Sequence, residues 1–282
     1  MKVLLLGASG LLGRAVRAAF EAADWEVVAP THAELDLLNF PVLTRRISAL
    51  APELIINCAA QRKPDLCEAA TPDILALNVE LPHLLAQSHR PLIHISTDYV
   101  FNGANAPYAP DAHCAPLNAY GLQKAQAESR LAPFEQALIV RVPILFGPTD
   151  DLRKSAVTVL AANLIAARGA CVTFDDTAIR YPTYTCDIAR QLFALAAPLL
   201  AGKLHGIVHY SAEEPMTKCQ MAMNMAPLVG CSIDQCLPDY TPPRVPRPYD
   251  CHLSTRALRQ RGIFVEPTSF AAAIIQTLAA FH

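Results

Sequence analysis

Two side chains four residues apart suggest proton chemistry. Tyr120-Gly121-Leu122-Gln123-Lys124 sets a phenol and an amine at i, i+4, which is one face of a helix about a turn apart. A free tyrosine keeps its proton to a pKa of about 10. An ammonium held beside it favours the phenolate, so the group can exchange a proton near neutral pH. A lowering of about three units needs roughly 4 kcal/mol of differential interaction. Taken alone, the pair also fits an ordinary helix surface. Ser96-Thr97-Asp98-Tyr99-Val100-Phe101 adds a hydroxyl just after an apolar run. Thr97 there could hydrogen-bond a carbonyl and polarise it, or Ser96 and Thr97 could simply cap a turn. Thr97, Tyr120 and Lys124 are the candidate catalytic residues.

The second reactant is read from the N-terminus. The apolar run Val3 to Leu6 enters Gly7-Ala8-Ser9-Gly10-Leu11-Leu12-Gly13, spaced G-x-x-G-x-x-G. A helical pattern follows at Leu11, Leu12, Val16, Ala19 and Phe20. Strand, glycine turn and helix N-terminus build a pyrophosphate cradle, so Gly7, Ser9, Gly10, Leu11, Leu12 and Gly13 are candidate cofactor contacts. With the Thr, Tyr and Lys in this order, the cofactor expected is a nicotinamide dinucleotide. It would supply the hydride and a positive ring beside the phenol. Preference for NAD usually rests on an Asp or Glu at the end of the second strand. Here that strand ends Ala29-Pro30-Thr31-His32, with no carboxylate before Glu34. Thr31 and His32 can donate to a 2′-phosphate, so NADP(H) is expected first. No Arg or Lys stands there, which keeps NAD(H) open.

These groups need a frame. Apolar runs at 3–6, 25–29, 53–57, 91–96 and 137–141 alternate with helical patterns at 11–20, 40–50, 72–88 and 118–131. Alternation of this kind predicts an α/β, Rossmann-type doubly wound parallel sheet, with ligands at the strand C-termini. After Pro143 prolines thicken, above all across 238–248, and helical patterns recur at 155–167, 187–200, 217–229 and 269–281. The expected organisation is a cofactor-binding domain over 1–142 and a smaller, mainly substrate-binding lobe over 143–282, interleaved with the last core strands. The segment 240–248 reads as an ordered loop near the cleft or as a plain linker.

Composition narrows the function classes. Of 282 residues, 52% are hydrophobic and 17% charged, with net charge −2, which argues for a sizeable core and against nucleic acid or an anionic membrane as partner. No apolar run reaches the roughly 18 residues of a membrane span, and the first residues read as a strand rather than a signal peptide. The 9 cysteines lack C-x-x-C spacing and read as reduced thiols in the cytoplasm. The 9 histidines show no metal-ligand spacing on a helix, so no metal is expected.

The glycine turn resembles that of the extended short-chain dehydrogenase/reductases. More narrowly, the chain is similar to the dTDP-4-dehydrorhamnose reductases and to the regulatory beta subunits of methionine adenosyltransferase. The resemblance covers essentially the whole chain. It is carried by Asn57-Cys58-Ala59-Ala60, Asp65, Glu68, Asn78, residues 96–101, Pro116-Leu117-Asn118-Ala119-Tyr120-Gly121 with Lys124, Pro182-Thr183, and Arg247-Pro248 with Leu253. It implies an NADPH-dependent reductase of a 4-keto sugar nucleotide, with Thr97, Tyr120 and Lys124 catalytic. It adds Asp36, Leu37, Cys58, Ala59, Ala60, Arg62, Tyr120, Lys124 and Leu145 to the cofactor contacts. Asp98, Val100 and Arg247 become substrate contacts, Arg247 as a bidentate partner of a nucleotide diphosphate. The departures are Val142-Pro143-Ile144-Leu145-Phe146-Gly147 and Arg62-Lys63-Pro64. These, with Ser155-Ala156-Val157-Thr158-Val159, Met216-Thr217-Lys218 and Phe281-His282, lie closer to the regulatory subunit. That relative would pair with a methionine adenosyltransferase catalytic subunit instead of turning over a sugar nucleotide. A homodimer is compatible with either.

Overall fold

The computed structural model describes residues 1–281, so His282 of the terminal Phe281-His282 pair lies outside it. The strands are β1 (Lys2–Leu6), β2 (Glu26–Val28), β3 (Leu54–Asn57), β4 (Leu92–Thr97), β5 (Ala137–Val142), β6 (Leu145–Phe146), β7 (Val172–Asp175), β8 (Thr183–Tyr184), β9 (Gly206–His209) and β10 (Cys236–Asp239). The helices are α1 (Leu11–Glu21), α2 (Phe40–Leu50), α3 (Pro64–Cys67), α4 (Pro72–Leu75), α5 (Leu81–Gln87), α6 (Ala119–Leu131), α7 (Thr158–Ala166), α8 (Thr185–Leu200), α9 (Lys218–Met225), α10 (Arg256–Gln260) and α11 (Phe270–Leu278).

Six parallel strands form the main sheet in the order β2-β1-β3-β4-β5-β9. The fold class is therefore the expected doubly wound α/β one. Both faces of the sheet are covered, so the central strands read as near-continuous apolar runs rather than alternating ones, with Asn57, His94, Ser96, Thr97 and Arg141 as buried polar exceptions. On β1, Val3 and Leu5 join the core beneath α1 and α8, while Leu4 and Leu6 join the core beneath α2 and α5. That split is the two-residue period of a strand. A third core, around Phe146, Leu160, Phe174, Met221 and Phe270, lies among the elements after residue 142. The short pairs β6–β8 and β7–β10 belong to that region. The chain then returns, because α8 packs on α1 and β9 closes the main sheet beside β5.

Strand order reverses between β1 and β3, and that reversal opens the crevice where ligands sit in such sheets. Leu6 pairs with Asn57 there, so the glycine turn and Cys58-Ala59-Ala60 leave the sheet side by side. The expected helix over 72–88 is present, with one distortion. Pro82 cannot donate into the helical ladder, and the stretch Ala76–Glu80 just before it widens into a π-turn. The turn sends Asn78 inward, where its amide bonds Gln61 and Gln123.

One buried ion pair ties α6 to the sheet. Arg141 of β5 meets Glu128 of α6 through Nη2–Oε2 at 2.6 Å and Nε–Oε1 at 3.0 Å, both side chains under 5% exposed. Ser96 donates to the same carboxylate, and Arg141 also reaches Pro110 O and His209 Nε2. Removing one member of such a pair strands a buried charge, which typically costs about 3–5 kcal/mol. Glu128→Ala should lower unfolding free energy by about that amount in denaturant titration. An unchanged midpoint would show that the pair does not hold the helix.

Candidate functional site

The glycines of the first turn have separate jobs. Gly7 has φ +78°, and a Cβ there would stand 2.7 Å from Ala59 N. A Cβ on Gly13 would stand 2.2 Å from Gly7 O. Chain packing alone demands glycine at both. Gly10 is exposed, and a Cβ on it would meet only Gly7 O at 3.2 Å. It opens onto free space at the start of α1, where no side chain caps the helix and no acidic residue sits in the first turn. The N–H groups of Leu11, Leu12 and Gly13 have no partner within the helix. Leu11 and Leu12 turn their side chains inward, which leaves those N–H groups to face an anion with the helix dipole behind them. Ser9 is exposed beside them. The cradle fits a pyrophosphate.

At the end of β2, sequence reasoning overlooked one contact. Glu34 Oε2 accepts from Thr31 N at 2.8 Å and from Thr31 Oγ1 at 2.9 Å. Both Thr31 donors are thus engaged, and the Thr31 hydrogen bonds hold the exposed Glu34 carboxyl below its usual pKa. The signal was readable: Thr-x-x-Glu has the spacing of a capping box. His32 is exposed, Asp36 accepts from Leu38 N at 3.0 Å, and Leu37 packs on the α2–α5 core.

The other candidates gather at the C-terminal ends of β3 and β4. Asn118 caps α6 by accepting from Gly121 N at 2.9 Å. Gly121 lets the helix press on the turn after β4, since a Cβ would stand 2.1 Å from Tyr99 O. Tyr120 thereby reaches the Tyr99 ring, centroids 6.2 Å apart. Thr97 Oγ1 accepts from Tyr99 N at 3.2 Å and donates to Asp98 Oδ1 at 3.1 Å. Burial pushes the Tyr120 phenol up, against a smaller downward pull from the Thr97 hydroxyl, so the phenol holds its proton. Lys124 does not sit on that phenol. Its Nζ donates to Ile95 O at 2.7 Å and lies 2.9 Å from His94 Nε2. Burial brings the amine down to about 8. Burial also raises Asp98 to about 6, with Arg180 and Thr97 pulling the other way.

Cys58, Ala59 and Ala60 are half-buried beside Gly7, and burial pushes the Cys58 thiol up to about 12. Leu145 is half-buried in β6 against the α1–α8 core. Arg62 Nη2 donates to Lys154 O at 2.5 Å, bringing the loop after β3 to the segment after β6. Arg247 donates to Asp65 Oδ2 at 2.7 Å, and Asn118 Nδ2 donates to Pro246 O at 3.0 Å. The proline-rich segment is thus seated on the start of α6. Val100 is 0% exposed within a cluster containing Phe101, Tyr108, Cys251 and Leu253, so it presents no surface to a ligand here. His94, Gln123 and Arg180 were not singled out from the sequence, and Asn57 entered only as part of the Asn57-Cys58-Ala59-Ala60 resemblance. A polar residue amid the apolar run of β4, as His94 is, was the available signal.

Among the described residues, no helix is long and apolar enough to cross a membrane, and no group of His, Cys, Asp or Glu is arranged to hold a metal.

Gly10→Val fills the open side of the cradle and should leave the fold intact. It should weaken NADP(H) binding at least about tenfold, about 1.4 kcal/mol, by fluorescence or calorimetric titration; wild-type affinity would sink the cradle. Glu34→Ala frees the Thr31 donors and removes a negative charge. Its ratio of NADPH to NADH affinity should rise, and an unchanged ratio would place Glu34 outside the cofactor's reach.

The described geometry has close counterparts. Residues 1–282 match the family model described as the RmlD substrate binding domain. The methionine adenosyltransferase 2 subunit beta of Danio rerio is 37% identical over 295 residues, spanning 100% of this chain and 91% of that protein. A protein of Streptomyces antibioticus described as a probable dTDP-4,6-dihydroxy-2-methyloxan-3-one 4-ketoreductase is 33% identical over 216 residues, 74% of this chain and 70% of its own. In fold, the dTDP-4-dehydrorhamnose reductase of Bacillus anthracis, solved with NADP, superposes with TM-score 0.88 at 23% identity, covering 99% of each chain.

Proposed function

The chain belongs to the RmlD substrate binding domain family, and from that premise we propose that it is an NADPH-dependent reductase of a 4-keto sugar nucleotide, with NAD(H) as the alternative cofactor. The observation that carries this reading is the placement of the half-buried Tyr120 phenol of α6 beside the Thr97 hydroxyl, on the same sheet edge as the glycine cradle, where burial favours the protonated phenol. The Bacillus anthracis relative solved with NADP and the Streptomyces 4-ketoreductase support the cofactor and the substrate class.

Residues 1–142 hold the cofactor in this reading, and residues 143–282 mainly face the substrate. Bound at the cradle, the dinucleotide supplies a hydride to the substrate carbonyl carbon. Thr97 turns its hydroxyl from Asp98 to the carbonyl oxygen and withdraws electron density from it. Tyr120 gives its proton to that oxygen as charge develops there. Lys124 fixes the inner face of α6 against Ile95, which keeps the phenol aimed at the oxygen, and presents a donor to the cofactor ribose. Arg247 meets a substrate diphosphate once it leaves Asp65. The setting is the cytoplasm.

A second reading is favoured by the full-length likeness to the Danio rerio subunit. Here the chain binds the dinucleotide without turnover and regulates a methionine adenosyltransferase catalytic subunit.

Tyr120→Phe separates the two. Phenylalanine keeps the ring and removes the proton, so kcat for a dTDP-4-keto-6-deoxy sugar should fall about 10²–10⁴-fold. NADPH affinity should fall far less, because the cradle is untouched. Unchanged turnover in the variant removes Tyr120 from the reaction. No turnover by the wild type, with affinity for a methionine adenosyltransferase equal in both proteins, establishes the regulatory reading.

A further inference from the structure

The Thr97 hydroxyl has one hydrogen, and two acceptors compete for it. At the end of β4, 6% exposed, Thr97 Oγ1 donates to Asp98 Oδ1 at 3.1 Å and accepts from Tyr99 N at 3.2 Å. A hydroxyl offers one O–H and two lone pairs, so the hydrogen is spent on Asp98 and none is left for a carbonyl. When it turns to a substrate oxygen, the Asp98 carboxylate loses a donor. That carboxylate is 3% exposed, and a buried charge stripped of a hydrogen bond is costly. A neutral carboxyl meets no such cost, because its O–H can donate to the free lone pair of Thr97. The hydroxyl then accepts from Asp98 and from Tyr99 N, donates to the carbonyl oxygen, and has every position filled.

We propose that Asp98 is a positioning residue that takes up one proton as a carbonyl ligand binds and donates it to Thr97 Oγ1, releasing the Thr97 hydrogen to the ligand. The proposal rests on the reductase reading, because the competing acceptor is a substrate carbonyl. The proton comes from solvent or buffer, whose conjugate base stays in solution, and it forms one O–H bond on the carboxyl.

The groups facing Asp98 keep their own charge states. On its own turn, burial raises the Tyr99 phenol. From α6, the Tyr120 phenol is raised the same way. From the segment after the proline-rich stretch, burial raises the Cys251 thiol, which donates to Phe101 O at 3.6 Å. All three hold their protons. From the segment before β8, Arg180 stays charged, with Nη1 held by the carbonyls of Ile179, Pro248 and Tyr249. Further off, Asp175 and Lys218 face Arg180, and Arg247 faces Tyr99. Burial raises the Asp98 carboxyl to about 6 against the pull of Arg180 and Thr97. At pH 7 it is therefore mostly ionised and has a proton to gain. Turning the Thr97 hydrogen away removes one of the influences that hold it down.

The test is calorimetric binding of a dTDP-4-keto-6-deoxy sugar to the full chain saturated with NADP⁺, which carries no hydride and so gives no turnover. Titrations in buffers of different ionisation enthalpy count the protons taken up. The expected uptake at pH 7 is about half a proton or more. Because binding consumes a proton, affinity for the sugar should fall about fivefold or more between about pH 5.5 and 7.5. In Asp98→Asn the amide Nδ2 donates to Thr97 in place of the protonated carboxyl. The uptake should vanish and the affinity should lose its pH dependence, changes that a merely structural role would not bring. Binding by the wild type with no proton taken up, or an uptake that Asp98→Asn leaves in place, overturns the proposal alone. No binding of the sugar overturns it together with the reductase reading, so the two failures are told apart. If the variant does not fold, the wild-type proton count and pH profile decide.

Discussion

Helix α6 lies so near the chain leaving β4 that only a glycine fits between them. A Cβ on Gly121 would stand 2.1 Å from Tyr99 O. The rest of the site follows from that approach. It carries Tyr120 to the turn after β4, Lys124 onto the backbone of β4, and Glu128 onto Arg141 of β5. Gln123, between them, reaches Asn78 and Cys67 O. A helix that buries a glutamine, a lysine and a glutamate against a sheet is unusual, and it persists because each finds a partner.

Those partners settle how charge is distributed. Glu128 and Arg141 pair bidentately in the interior, the geometry that best offsets the loss of water. Lys124 has no carboxylate of its own, because Glu128 is taken, and it rests on a carbonyl and an imidazole instead. Its burial and that of Tyr120 push in opposite senses: the amine tends to lose its proton and the phenol tends to keep it. Two groups that differ so in neighbouring low-dielectric surroundings mark a site where proton position matters.

The cofactor end obeys a simpler rule. Gly7 and Gly13 are glycines because strand β3 and the turn itself crowd them, whereas the space at Gly10 lies open. Backbone N–H groups at the start of α1 are left free to meet an anion, an interaction that asks little of side-chain identity. The same frame thus serves relatives whose described roles differ, one a methionine adenosyltransferase subunit and one a ketoreductase. Fold alone does not choose between such roles.

Local rules made much of this legible in the sequence. The apolar runs of β1, β3, β4 and β5 and the helical periods between them point to a parallel sheet, because strands buried on both faces read as near-continuous apolar runs. Gly7-x-x-Gly10-x-x-Gly13 specifies a tight turn into a helix and Tyr120-x-x-x-Lys124 a shared helix face, and only their combination and order pointed to a chemistry. Other features depend on chain segments far apart in sequence. The Thr31–Glu34 contact was within local reach and was passed over. By contrast, Asn57, His94 and Lys124 sit 37 and 30 residues apart, and Arg247 meets Asp65 across 182. Spacing specifies which groups share a helix face. It cannot specify which strand that face will meet, and the protonation of a buried amine depends on what it meets there. That decision belonged to the tertiary structure, because only packing removes water and supplies the partner.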